Sequence, residues 1–178
     1  AHIRGPPSHF GPAPSPPELQ AVVRGAARTT PLALARDATS TIHSPNDATS
    51  PDFQKTRAIL DQSRRVNHLA ENEMYILRPT GASPFETEFV VMLQKKTFIG
   101  SRYSVPMANW EKFLEAWNSG QPTSSDIYED ENGRWLSGYA PILNHAGNPV
   151  ANDRAAARIP RVTQRTRGHS RPPPRARG

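Results

Sequence analysis

The feature that most limits how this chain can fold is the uneven distribution of its prolines and arginines. Ten of the nineteen prolines lie in residues 1–28 and 153–178, and proline fixes φ and removes a backbone donor. Residues 153–178 also contain eight arginines against one aspartate. The sequence therefore predicts a disordered Pro-rich leader over residues 1–29, one folded domain over residues 30–152, and a disordered Arg/Pro-rich tail over residues 153–178.

The remaining composition excludes several classes of protein. Without the two ends the charge is slightly acidic, since residues 29–152 hold fourteen acidic and eleven basic side chains. The chain contains no cysteine, which excludes disulfides, thiol nucleophiles and thiolate metal sites. No apolar run reaches the ~18 residues of a membrane span, and no signal-peptide core is visible. The sequence predicts no membrane span and leaves the compartment open.

Three segments have the spacing and the end signals of helices. The first covers residues 31–42, and the second covers residues 51–67 with Ser50 as its N-cap. The third covers residues 107–117 and ends before Gly120. Its apolar stripe comprises Met107, Trp110, Phe113, Leu114 and Trp117. Such a stripe favours packing on the chain's own sheet, and the alternative is a face that docks a partner.

The other apolar segments are typical of antiparallel strands. Residues 74–78 and 85–93 form one predicted pair, and residues 125–129 and 134–143 form a hairpin with an Asn-Gly turn. The last predicted strand, residues 149–151, is only three residues long. Such a short strand would leave an unpaired sheet edge, so we expect the chain to be only marginally stable. The predicted fold class is α+β, with N-terminal helices packed on an antiparallel sheet.

The hairpin carries the most specific residues. The run Gly-Arg-Trp-Leu-Ser-Gly-Tyr-Ala-Pro-Ile at 133–142 is followed by Ala-Gly-Asn-Pro-Val at 146–150, and Met-Tyr-Ile-Leu-Arg-Pro-Thr-Gly stands at 74–81. These segments resemble the Cache/PAS-like sensor domains upstream of bacterial cyclases, histidine kinases and chemoreceptors. The resemblance implies a sheet whose concave face holds a small organic ligand. It places four side chains near that ligand, namely Tyr75, Trp135, Ser137 and Tyr139.

Two departures from the pattern qualify what the resemblance implies. Such sensors often carry an aspartate where this chain has Met92. They also continue into a full last strand and a membrane helix, whereas this sequence turns into its basic tail. We therefore expect a truncated signal-input domain without its transducer. Whether the tail is natural or arises from a change of reading frame stays open, as do a homodimer and the ligand's identity.

The residue types themselves allow a ligand site. Tyrosine and tryptophan combine an apolar body with one polar group, which suits a pocket that orients a small molecule. Arg78 is a candidate carboxylate clamp because its planar fork binds in a bidentate manner. The alternatives are ordinary sheet packing for the aromatic residues and a surface position for Arg78.

Other kinds of site have weaker support. His43 with Asp47, and the acidic run 126–131, are better explained as solvated turns than as metal sites. No nucleophile–base pair or phosphate-binding glycine loop is present, so we predict no enzyme, no cofactor and no metal. The alternative function is an interaction module whose basic tail binds nucleic acid, an anionic membrane or acidic partners. That tail contains no aromatic side chain for base stacking.

Overall fold

A computed structural model describes residues 15–28 and 32–159. The helices are α1 Pro16–Arg28, α2 Leu32–Thr41, α3 Pro51–Val66 and α4 Trp110–Ser119, with short 3₁₀ turns at Pro45–Thr49, Glu71–Glu73 and Met107–Asn109. The strands are β1 Met74–Pro79, β2 Glu86–Val91, β3 Arg102–Ser104, β4 Thr123–Ser124, β5 Tyr128–Asp130, β6 Gly133–Leu143 and β7 Pro149–Arg158. This arrangement confirms the predicted α+β class.

All seven strands belong to one antiparallel sheet. Their order is β3-β2-β1-β7-β6-β4, and β5 pairs with β6 beside β4. Helices α1, α2 and α3 pack on one face of the sheet and bury its main core, which includes Val23, Ile42, Phe53 and Leu60. Helix α4 lies on the opposite face over a smaller core of Val105, Phe113, Ala116 and Tyr139. The sheet therefore has a helix-covered face and a second, partly open face.

The predicted disordered leader is wrong for residues 15–28, which form α1. Pro16 stands at the first position of this helix, where its missing N–H is not needed. Leu19, Val23, Ala26 and Ala27 then recur on one side and pack into the main core. The predicted disorder of residues 1–14 concerns a part of the chain outside the described residues.

The predicted boundary at residue 152 is also wrong. Strand β7 runs for ten residues, Pro149–Arg158, and lies in the middle of the sheet between β1 and β6. Its centre is almost entirely small or polar, and small side chains fit where a helix crosses the sheet closely. The prediction of a shortened last strand is therefore wrong, and the marginal stability inferred from it loses its basis. The predicted disorder of residues 160–178 lies outside the described residues.

The ends of α3 and α4 follow the sequence signals. Ser50 Oγ accepts a hydrogen bond from the Phe53 amide at 3.2 Å, which confirms the predicted N-cap. Gly120 adopts a left-handed conformation with φ 69° and ends α4. The predicted stripe is only partly buried, because Met107 lies in the preceding 3₁₀ turn and is 75% exposed. Within the described residues, no helix is long and apolar enough to cross a membrane.

Candidate functional site

A cleft of about 760 Å³ opens on the sheet face that α4 only partly covers. It lies over β1, β7 and β6, and β2, β3 and the β5–β6 turn contribute to its walls. Its lining side chains include Tyr75, Phe89, Tyr103, Trp135, Arg154 and Arg158, together with the acidic residues Glu73, Asp130 and Glu131. The cleft combines aromatic walls with a charged floor.

Aromatic side chains form one wall of the cleft. The rings of Tyr75 and Phe89 meet edge to face with centroids 5.0 Å apart, and Phe89 lies 5.6 Å from Tyr103. Tyr75 Oη accepts a hydrogen bond from Gln94 Nε2 at 2.8 Å. Because this packing fixes the rings, the wall is preformed for a ligand with an apolar portion.

Arg154 lies at the floor of the cleft, near the middle of β7. Tyr75 on β1 and Tyr139 on β6 are its direct partners in the sheet register, so these three side chains form one row across the sheet face. The Arg154 guanidinium stacks on the Tyr103 ring at 5.2 Å. Its Nη2 atom donates to Tyr128 Oη at 3.2 Å and to Ser137 Oγ at 3.3 Å. Only 9% of Arg154 is exposed.

The charge of Arg154 has no counter-charge among the side chains that the structure describes. Among residues 15–28 and 32–159, no carboxylate lies within ion-pair distance of this guanidinium, and its buried Nε has no hydrogen-bond partner. Arginine stays protonated in proteins. An unpaired buried charge and an unpaired buried donor both cost free energy. Arg154 therefore lowers the stability of the folded chain unless a ligand binds it.

A second polar layer lies deeper on the same sheet face. Asn109, just before α4, donates from Nδ2 to Tyr139 Oη at 3.0 Å. Its Oδ1 atom and both amide atoms of Asn152, two positions before Arg154 on β7, are buried without a partner. Both asparagines are 0% exposed. Unsatisfied buried polar groups are rare in folded proteins, and both asparagines lie on the sheet face that carries the cleft.

The acidic side chains of the cleft lie at its rim and are mostly engaged in local structure. Glu73 accepts hydrogen bonds from the backbone amides of Ala70 and Arg158. Asp130 Oδ1 accepts from Trp135 Nε1 at 2.9 Å and from two backbone amides of the β5–β6 turn. Glu131 is exposed on that turn. The rim acids therefore do not balance the charge at the floor.

Three tyrosines of this face remain neutral phenols at physiological pH. Burial raises the pKa of Tyr75, Tyr103 and Tyr139 above the ordinary value, although hydrogen bonds or the charge of Arg154 oppose this effect. These hydroxyl groups can donate and accept hydrogen bonds. They do not provide the lowered pKa that a general base or a nucleophile needs near neutral pH.

The metal candidate formed by His43 and Asp47 has a structural explanation. Asp47 Oδ2 accepts from the backbone amides of His43 and Ser44, both at 2.8 Å, and so caps the turn that follows. These bonds lower the pKa of the Asp47 carboxyl. In the described part of the chain, no group of three or more His, Asp or Glu side chains could hold a metal ion.

The five predicted ligand-binding residues fall in three places. Tyr75 and Trp135 line the cleft. Ser137 and Tyr139 lie on the same face but are 0% exposed, and they contact Arg154 or its partners from below. Their role in binding stays a prediction.

Arg78 does not reach the cleft. It lies on the helix-covered face, where Nη2 pairs with Glu88 at 2.5 Å and Nη1 donates to the Thr39 carbonyl at 2.6 Å. The carboxylate clamp predicted at Arg78 is therefore corrected: the guanidinium is already neutralised and ties α2 to the sheet. Sequence reasoning missed Arg154, because it assigned that residue to the tail.

No family model matches the chain, and no curated protein matches it. Among solved structures, the ligand-binding domain of the Campylobacter jejuni chemoreceptor Tlp3 in complex with 4-methylisoleucine matches with TM-score 0.42 and 12% identity, over 79% of this chain and 50% of that chain.

Two further solved structures match over a similar part of the chain. An extracellular ligand binding receptor from Desulfohalobium retbaense has TM-score 0.49 and 16% identity, over 80% of this chain and 23% of that chain. The Escherichia coli DcuS sensor domain has TM-score 0.40 and 18% identity, over 78% and 92%. The chain thus spans half or less of the first two proteins.

Proposed function

We propose that this chain is the small-ligand-sensing input domain of a signal-transduction protein, and that the cleft over β7 is its ligand site. The observation that carries this proposal is the side chain at the floor. Arg154 is nine-tenths buried, its Nε has no partner, and fixed aromatic rings surround it. A ligand that binds there would satisfy groups that the protein leaves unsatisfied.

The proposed role is binding without catalysis. On the sheet face that carries the cleft, the titratable side chains include Tyr75, Tyr103 and Tyr139, whose pKa burial raises, together with an arginine that stays protonated. Neither type serves readily as a general base near neutral pH. Such groups suit recognition of a small molecule.

A route from the cleft to α1 supports the signalling part of the proposal. Ser137 Oγ accepts a hydrogen bond from Arg154. The backbone of Ser137 is joined to Ser125 by two further hydrogen bonds, of 2.8 and 2.9 Å. The Ser125 carbonyl accepts from Gln20 Nε2 at 3.1 Å, and the adjacent Ser124 Oγ accepts from Arg24 Nη1 at 2.9 Å. One short segment therefore touches both the site and α1.

The binding proposal predicts a specific effect of Trp135→Ala. A screen of amino acids, carboxylates and amines should include compounds that raise the melting temperature, because a ligand of the native state stabilises it by mass action. At about ten times the dissociation constant, we expect a rise of about 4 °C. In Trp135→Ala this rise should fall to less than about half, since the variant removes part of the cleft wall.

Trp110→Ala is the matched control. Trp110 stacks on Phe85 at 4.2 Å and does not line the cleft, so this variant should lose basal stability while its response to the compound is retained. If no compound in the screen raises the melting temperature, or if both variants respond like the unmodified chain, the proposed site is wrong.

The route through Ser125 predicts that the ligand protects α1. Amide hydrogen exchange in Pro16–Arg28 should slow when the best compound of the screen binds. Gln20→Ala removes the hydrogen bond to Ser125, and it should reduce this protection while the ligand still binds. Equal protection of α1 in both proteins would contradict the route.

The alternative function rests on the basic tail and stays a prediction. Arg154 and Arg158 belong to β7, so six of the eight arginines of residues 153–178 lie outside the described residues. Binding of nucleic acid or an anionic membrane would rest on these six. The homodimer is likewise untested.

A further inference from the structure

We infer that the ligand of this site carries a carboxylate and lacks an ammonium group. This inference rests on the proposed function and adds the chemical class of the ligand. It follows from the charges and unsatisfied groups at the floor of the cleft.

The inference of a carboxylate rests on the unbalanced charge and the unpartnered Nε of Arg154. Its Nη2 atom is held by two hydroxyl groups, whereas Nε has no partner. No carboxylate of the described chain forms an ion pair with it. A planar carboxylate matches the guanidinium fork and supplies the missing charge at the same time.

The described floor offers one cation, which favours a singly charged group over a phosphate dianion. The next arginine on this face, Arg158, is exposed at the rim, where it stacks on Trp135 at 5.4 Å and donates to the Asn132 carbonyl. Phosphate sites commonly add backbone amides of a helix N-terminus. In the described lining of the cleft, the residues come from strands, loops and the short turn Glu71–Glu73.

The absence of an ammonium group follows from the position of the acidic residues. An ammonium bound near Arg154 would need a carboxylate partner, because two like charges repel strongly in a poorly solvated site. The described acidic side chains of the lining are Glu73, Asp130 and Glu131, and all three belong to the rim. Glu73 and Asp130 already accept backbone amides. The deeper acceptors on this face are neutral oxygens, such as Asn109 Oδ1.

Two matched series of compounds test the inference on the full chain. The small series is propanoate, L-alanine and ethylamine, and the large series is 3-phenylpropanoate, L-phenylalanine and 2-phenylethylamine. Each compound is added at about 10 mM and constant ionic strength, with inorganic phosphate as a separate arm, and the melting temperature is measured. We expect at least one carboxylate to raise it by about 4 °C, and the matching amino acid and amine to raise it by less than about 1 °C.

Variants of Arg154 decide whether the response arises at this site. Arg154→Met should abolish the response, and Arg154→Lys should lose most of it, since lysine keeps the charge without the planar fork. A response that persists in Arg154→Met overturns the inference. So does an amino acid, an amine or phosphate that raises the melting temperature as much as the carboxylates.

The inference and the proposed function fail in different ways. If neither series has an effect but another compound of the wider screen acts through Trp135, the ligand class is wrong and the sensing role stands. If no compound of the series or of the wider screen has an effect, both are wrong.

Discussion

Replacing Gly138 by alanine is expected to lower the free energy of unfolding by about 3 kcal/mol, and the melting temperature by about 10 °C. Gly138 lies on β6 where α1 crosses the sheet. A Cβ atom at this position would lie 2.4 Å from the carbonyl oxygen of Val23 and 2.9 Å from the amide nitrogen of Arg24. These are backbone atoms of a helix, so the whole of α1 must move away to relieve the overlap.

Gly25→Ala is the matched control for this effect. Gly25 lies inside α1, and a Cβ atom there meets nothing within 4 Å. Alanine is favoured over glycine in a helix interior, so this variant should gain about 0.5–1 kcal/mol. The melting temperatures of both variants are compared with that of the unmodified chain. If Gly138→Ala is as stable as Gly25→Ala, the close packing of α1 on β6 is wrong.

Arg154→Met is expected to stabilise the ligand-free chain while it abolishes ligand binding. The substitution removes a buried charge that has no carboxylate partner and an Nε donor that has no acceptor. Tyr128 Oη and Ser137 Oγ keep their mutual hydrogen bond of 2.8 Å. Methionine fills a similar volume, so we expect a gain of about 1–2 kcal/mol. Thermal unfolding with and without the best carboxylate measures both effects.

Arg78→Met separates this behaviour from a general effect of removing arginine. Arg78 is paired with Glu88 and donates to the Thr39 carbonyl. Its loss leaves a half-buried carboxylate and a carbonyl unpaired, so this variant should lose stability and keep its response to the ligand. A loss of stability in Arg154→Met comparable with that in Arg78→Met would show that Arg154 has a structural role.

The parts of the fold that the sequence predicts correctly are helix ends and turns, which depend on residues close together in the chain. Ser50 caps α3, Gly120 ends α4, and the Asn-Gly turn joins β5 to β6, because each depends on residues close in the chain. Strand β7 was missed for the opposite reason. Its Ala151, Ala155 and Ala157 have weak strand preference, and they are suitable because α1 packs closely over that part of the sheet.

The candidate site could be predicted only in part, because it also depends on contacts between segments that are distant in the chain. Trp135 and Tyr75 were found through their types and the resemblance, and both line the cleft. Arg154 was not predicted as a site residue, because it lies in the segment assigned to the tail. Arg78 was chosen because it follows Tyr75 closely, but residues three apart on a strand face opposite sides of a sheet. The pairing of Arg78 with Glu88 across β1 and β2 is a tertiary fact that no local pattern contains.

The most direct test of the account is the Nε–H signal of Arg154 in a ¹⁵N-labelled sample. The signal is assigned by its absence from Arg154→Lys and is followed while the best carboxylate is added. The account predicts that it shifts with the same dissociation constant as the thermal stabilisation, because Nε acquires its missing acceptor. A compound that stabilises the protein and leaves this signal unchanged would contradict the assignment of Arg154 as the centre of the site.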